Sequence, residues 1–228
     1  MKEGNDKMIK SISINKGSNL EEILFFNKMN LEQVTLLFGA NGVGKSSLIK
    51  GILKQKEIKF NCDKEIKLYS YINNEQNFRN MNKNSNLSYE DMFNPYLINK
   101  KYNADELSEG QSIIYSLQDI FELCMQIKDD SNDSVILLDE IDSGLSIDNI
   151  DYLSDKIKEI TDKYSNIQFI IGFNNFEFCR NFPKVFNMYN GKYITIESYD
   201  QYRNIINSNR EMLLEKRHNN MFTGDSDF

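Results

Sequence analysis

Val34-Thr-Leu-Leu-Phe-Gly39-Ala-Asn-Gly-Val-Gly-Lys45-Ser46-Ser-Leu-Ile-Lys50 is the stretch that decides the fold. Val34–Phe38 is a nearly continuous apolar run ending in a glycine loop, as a buried parallel strand does. Ser46–Lys54 predicts a helix with Leu48, Ile49, Ile52 and Leu53 on one face. Between them, Gly39–Ser46 fits G-x-x-x-x-G-K-[ST]. Glycines let the backbone wrap a phosphate with its N–H groups pointing inward, and the dipole of the following helix favours negative charge. The residues expected to cradle the phosphates are Gly39, Asn41, Gly42, Gly44, Lys45, Ser46 and Ser47. Lys45 would reach the β- and γ-phosphates and Ser46 would ligate Mg²⁺.

A second apolar strand, Val135-Ile-Leu-Leu138, ends in two acids, Asp139 and Glu140. Asp139 can hold Mg²⁺ through water or Ser46, and Glu140 can polarise an attacking water. An acidic pair at a strand end is by itself as often a solvated turn. Beside a phosphate loop it reads as the metal and water site of a nucleotide hydrolase.

Outward from these motifs, Met8–Asn15, Ile23–Phe26 and Ile66–Ile72 read as strands. Residues 73–86 hold seven Asn in fourteen positions and predict an exposed stretch with little core to offer. A short helical region over Tyr89–Asp105 is interrupted by Pro95. Ser108–Lys128 predicts a helix with the stripe Ile113, Leu117, Ile120, Cys124 and Ile127, and Ser108 with Gln111 resembles a capping box. Ile150–Tyr164 predicts an amphipathic helix, Gln168–Gly172 a strand, and Val185–Met188 with Tyr193–Ile196 a hairpin around Asn190-Gly191. Gln201–Arg217 predicts the last helix; His218, the single histidine, follows it and is given no role. Strands alternating with helices predict an α/β fold with a mostly parallel sheet. The expected organisation is one domain over residues 1–217, an Asn-rich helical lobe at about 73–106, and a polar tail at 218–228.

The 228 residues carry 27 Lys+Arg against 34 Asp+Glu, a net charge of −7, which argues against a general nucleic-acid coat. Only five residues are Arg, few for bidentate reading of bases or phosphates. Lys50–Lys67 is the local exception, with six Lys against three acids. No apolar run approaches the roughly 18 residues of a membrane span, and residues 1–10 have no apolar signal region. Cys62, Cys124 and Cys179 are odd in number and far apart, matching neither a disulfide framework nor a metal spacing. The expected location is the cytoplasm.

Leu107-Ser-Glu-Gly-Gln111 resembles the LSGGQ signature of ATP-binding cassette (ABC-type) ATPases, and Asp142-Ser-Gly-Leu-Ser146 resembles their D-loop. Phosphate loop, signature, acidic strand end and D-loop occur in that family's order across residues 39–146. The resemblance implies a P-loop ATPase head that binds ATP and Mg²⁺ and hydrolyses ATP. It implies a head-to-tail dimer in which Lys45 and Ser46 of one subunit, and Ser108, Gly110 and Gln111 of the other, enclose each nucleotide. It also implies a glutamine contact to Mg²⁺, for which Gln76 is the candidate, and a switch residue after Gln168–Gly172, which falls at Asn174. The family's histidine at that position is replaced by a side chain that cannot carry a proton, so slow turnover is expected. Glu109 stands where the signature has glycine. Phe25 or Phe26 could stack on adenine, although a strand-borne aromatic pair more often belongs to the core.

The interval between Gln76 and Leu107 leaves room for one or two short helices and none for long coiled-coil arms. The phosphate loop resembles those of RecF, SMC and related soluble ATPases. That branch implies a switch acting on a soluble effector protein or on DNA, as in genome maintenance or anti-phage defence. The alternatives are the ATP-binding subunit of a membrane transporter, partnered by a permease, and a module that closes on ATP and hardly hydrolyses it.

Overall fold

The computed structural model describes residues 9–72, 79–80, 109–127 and 133–223. The expected helical lobe, apart from Arg79–Asn80, lies outside them, as do Gln76 and Ser108.

The strands are β1 (Ile9–Ile14), β2 (Lys28–Asn30), β3 (Val34–Phe38), β4 (Ile58–Cys62), β5 (Ile66–Ile72), β6 (Arg79–Asn80), β7 (Asp133–Asp139), β8 (Ile167–Gly172), β9 (Lys184–Asn187) and β10 (Lys192–Thr195). The helices are α1 (Asn19–Ile23), α2 (Lys45–Lys54), α3 (Glu109–Ile127), α4 (Ile147–Lys163), α5 (Phe176–Asn181) and α6 (Tyr199–Thr223). A seven-stranded sheet runs in the order β10-β9-β3-β8-β7-β5-β6. Its five inner strands are parallel, and its edges β10 and β6 are antiparallel. A three-stranded antiparallel sheet, β2-β1-β4, lies apart from it.

Strand alternation assigns the two faces of the large sheet. Leu37, Leu68, Val135, Leu137 and Ile170 pack with Leu48, Ile49 and Ile52 of α2 and with Ile9, Ile12 and Met29 of the small sheet. Leu36, Phe38, Ile136, Leu138, Phe169 and Ile171 pack on the other face with Leu117, Ile120 and Cys124 of α3 and Ile150, Leu153 and Ile157 of α4. Each fully buried side chain contributes about 1.5–3 kcal/mol of transfer free energy. The result is a three-layer α/β fold with α2 on one side and α3 and α4 on the other, as the strand–helix alternation predicts.

The structure departs from the sequence reading at four places. Ile23–Phe26 is not a strand: residues 19–23 form α1, because Ser18 Oγ accepts the Glu21 N–H and Glu21 Oε2 accepts the Gly17 N–H. The strand follows at Lys28–Asn30. Ile58–Cys62 is an additional strand whose alternation buries Ile58 and half-buries Phe60 and Cys62. Phe176–Asn181 is an additional short helix capped by Asn175, whose Oδ1 accepts the Glu177 N–H at 3.1 Å. The last helix also runs past Arg217 to Thr223. No helix among the described residues is long and apolar enough to cross a membrane.

Candidate nucleotide site

The carboxyl ends of β3, β8 and β7 lie side by side, with Leu37 of β3 and Asp139 of β7 both in register with Gly172 of β8. This places the loop after β3, the acids after β7 and the turn after β8 at one sheet edge, where open parallel sheets place their ligands.

The first group is the phosphate loop. Gly44 caps α2 with φ +103°, and a β-carbon there would stand 2.8 Å from Leu24 Cδ2, so a side chain is excluded by both strain and space. Lys45, the first helical residue, is only 5% exposed. Its ammonium donates to the carbonyls of Gly39 at 2.6 Å and Ala40 at 3.4 Å. Burial lowers its pKa to about 8, against the attraction of Asp142, Asp139 and Glu140. Asn41 and Gly42 are exposed, and Ser46 and Ser47 are half-buried. Tyr189, from the connection between β9 and β10, accepts the Ala40 N–H with its hydroxyl at 3.3 Å. Nothing in the sequence near the loop marks Tyr189 as its support.

The second group is the acidic pair. Asp139 is 2% exposed and hydrogen-bonded to the Ser46 hydroxyl. Burial raises its pKa to about 6, outweighing Ser46, Lys45 and Lys50, which lower it. Its Oδ1 has no hydrogen-bond partner. Glu140 is half-buried, has φ +54°, and donates its N–H to the Gly172 carbonyl at 3.0 Å. The described residues contain no group of three or more His, Cys, Asp and Glu that could hold a metal unaided. A hydroxyl beside a carboxylate with one unpartnered buried oxygen suits Mg²⁺, which keeps several waters and binds through one or two carboxylates plus phosphates. Ser46 and Asp139 therefore fit that ion when it arrives with a nucleotide.

The third group is the turn after β8. Asn174 is exposed. Its N–H donates to Asp142 Oδ2 at 2.7 Å, the same oxygen accepts the Asn175 N–H, and the Asn174 carbonyl accepts the Tyr202 hydroxyl. Asp142 is 6% exposed, and burial raises its pKa against the lowering by these N–H donors.

Gly110 and Gln111 fall in the first turn of α3, on the sheet face opposite α2. Phe25 and Phe26 are half-buried and engaged within the chain, Phe25 against Tyr189 (ring centroids 5.5 Å apart) and Phe26 edge-on to Phe186 (5.0 Å). The lysine-rich stretch borders a groove of about 1050 Å³ beside α2, lined by Lys50, Lys54, Lys56 and Lys64 with Phe60 and Leu53. Buried Cys124 and Cys179 have thiols pushed up to about 12 by desolvation, which keeps them protonated and unreactive.

Among solved structures, the chain is similar to cbiO1 from Clostridium perfringens, part of the ABC transporter complex cbiONQ. Identity is 21%, with 82% of this chain and 87% of that one covered and a TM-score of 0.52. A nucleotide-free ATP-binding cassette from an ABC transporter matches at 17% identity, 87% and 95% coverage and a TM-score of 0.45. An SmcHead bound to the C-winged helix domain of ScpA matches at 23% identity over 43% of this chain and 29% of that one, with a TM-score of 0.32. Among curated proteins the chain finds no match. Residues 35–178, from β3 into the first turn of α5, match the ATPase family associated with various cellular activities (AAA). The chain belongs to that family, and its fold is that of an ABC-type P-loop ATPase.

Proposed function

We propose that this protein is a non-transport ABC-type ATPase that closes head-to-tail on ATP and uses slow hydrolysis as a switch on a soluble partner protein or on DNA. The observation that carries the reading is the convergence of Lys45, Ser46, Asp139 and Glu140 from the carboxyl ends of β3 and β7, on either side of β8. Residues 39–47 hold the phosphates, and Ser46 and Asp139 hold Mg²⁺, which neutralises charge on the phosphate oxygens when bound. Glu140 orients a water and accepts its proton as the water oxygen bonds to the γ-phosphorus. The bond to the β–γ bridging oxygen breaks, and ADP and phosphate leave. Asn174 can hydrogen-bond the γ-phosphate but cannot carry its proton, which favours slow turnover.

Dimer closure is supported by the placement of α3. Gly110 and Gln111 lie at the start of a helix that packs on the sheet face opposite α2, and in the head-to-tail arrangement their helix N-terminus would cap the phosphate bound by the other chain. The groove beside α2, lined by four lysines against two acids, Glu57 and Glu65, in a chain of net charge −7, offers an anionic partner a modest local match. Light scattering of Glu140→Gln with and without Mg-ATP tests the reading, with Lys45→Ala as the control unable to bind nucleotide. An ATP-dependent doubling of mass is expected for Glu140→Gln alone. A Glu140→Gln variant that binds ATP and stays monomeric would refute homodimer closure. A permease co-purifying with that variant would make the chain a transporter subunit instead.

A further inference from the structure

Both backbone polar groups of Asn174 are held by side chains outside the phosphate loop and the acidic pair. Asp142 Oδ2 takes the N–H at 2.7 Å, together with the N–H of Asn175. Tyr202 of α6 donates its hydroxyl to the Asn174 carbonyl. Asp142 is 6% exposed; its Oδ2 takes both backbone donors, while its buried Oδ1 has no hydrogen-bond partner. Tyr202 is itself fixed. Its ring lies 5.4 Å from that of Phe38, 5.6 Å from that of Phe176, and stacks at 6.2 Å on Tyr199. Phe38 is the last residue of β3, immediately before Gly39. One side chain of α6 therefore packs on the strand that launches the phosphate loop and bonds the turn that carries Asn174. The Asn174 side chain is left exposed while its backbone is held.

We infer that Asp142 and Tyr202 are positioning residues that fix Asn174 for the hydrolytic step, and that α6 is thereby mechanically coupled to nucleotide state. The inference rests on the proposed ATP chemistry. It goes further by assigning roles to a residue within the D-loop-like segment and to a helix beyond the matched family segment, which ends at residue 178.

Tyr202→Phe removes one oxygen and keeps the ring packing. Loss of one hydrogen bond of about 1 kcal/mol predicts a fall in kcat of about fivefold with KM for ATP changed less than about twofold. In an Asn174→Ala background the same substitution should have no further effect, because its target side chain is gone. Asp142→Asn, which keeps an acceptor oxygen, should retain more activity than Asp142→Ala. Unchanged kcat in Tyr202→Phe, or an equal additional loss in the Asn174→Ala background, overturns the positioning role. If the wild type turns over no faster than Lys45→Ala, the hydrolysis reading fails and amide hydrogen exchange decides the coupling. A non-hydrolysable ATP analogue should slow exchange across residues 199–206 in the wild type and not in Tyr202→Phe. No analogue-dependent change in the wild type, or the same change in both proteins, overturns the coupling as well.

Discussion

A β-carbon built on Gly172 would stand 2.7 Å from Oδ1 of Asp139 and 3.2 Å from Ile49 Cδ1. The strand after α4 thus has a glycine where the acid of the neighbouring strand needs room. Gly172→Ala must move either the Asp139 carboxylate or α2. Overpacking of this kind costs about 1–3 kcal/mol. We expect a lower melting temperature and, because Asp139 would no longer face Ser46, a weaker response of ATPase activity to Mg²⁺. Titration of Mg²⁺ at saturating ATP checks this. An unchanged half-saturation point would mean that Gly172 does not set the position of Asp139.

The same carboxylate makes stability depend on pH. Burial holds Asp139 at about 6, above its ordinary 3.8, so the nucleotide-free native state binds this proton more readily than the unfolded chain. The stabilising contribution is fully present below about pH 4 and is lost as pH rises through about 6. Asp139→Asn, which never ionises, should therefore leave stability nearly unchanged near pH 4. Above pH 6 it should raise nucleotide-free stability by up to about 3 kcal/mol, two pKa units' worth of linkage. Thermal melts of both proteins across this range give the comparison. A gap that stays constant with pH would show that Asp139 titrates normally.

Much of this was legible in the sequence because it is local. The apolar run Val34–Phe38, the glycine spacing through Gly44 and the acids at the end of β7 each declare their conformation within a few residues. The error at Ile23–Phe26 was avoidable: Ser18 caps the Glu21 N–H and Glu21 reaches back to the Gly17 N–H, and these hydrogen bonds outweigh the pull of a four-residue apolar run. Ile58–Cys62 was hidden by its edge position, where two of five side chains are exposed. Tyr189, Gly172 and Tyr202 could not be found from the sequence, since their partners Ala40, Asp139 and Asn174 lie 28 or more positions away and meet them only through sheet order. The Asp142 link to Asn174, 32 positions apart, is of the same kind.

Glu140 occupies a left-handed backbone conformation at φ +54°, which costs a non-glycine residue about 1–2 kcal/mol. Its N–H bond to the Gly172 carbonyl holds it there and sets the direction of its side chain from the strand end. Strain of this sort at a charged residue is expected where a side chain must be aimed. Glu140→Gly should relieve it and raise the unfolding free energy by about 1 kcal/mol, while removing the proposed base should lower turnover about 100-fold or more. Chemical denaturation and ATPase assays on one preparation would separate the two effects. A variant that loses stability along with activity would show that no strain was stored at this position.

Asn174 is the point at which sequence and geometry argue about rate. Its backbone is held by Asp142 and Tyr202, and its side chain is exposed, so a larger ring can be accommodated without displacing buried groups. An amide can donate to a γ-phosphate oxygen but has no proton to exchange near neutral pH. An imidazole in the same place can do both and can carry positive charge below its ordinary pKa of about 6.5. We therefore expect Asn174→His to raise kcat about tenfold, within the range ascribed to a positioned acid or base. The kcat–pH profile should gain a limb near the imidazole pKa that the wild type lacks. In a Tyr202→Phe background the gain should shrink, because the new ring would inherit a less well held backbone. If His at 174 changes neither rate nor pH profile, the side chain at this position does not reach the phosphate, and the proposed slow turnover loses its basis at Asn174, with Glu140 the next group to test.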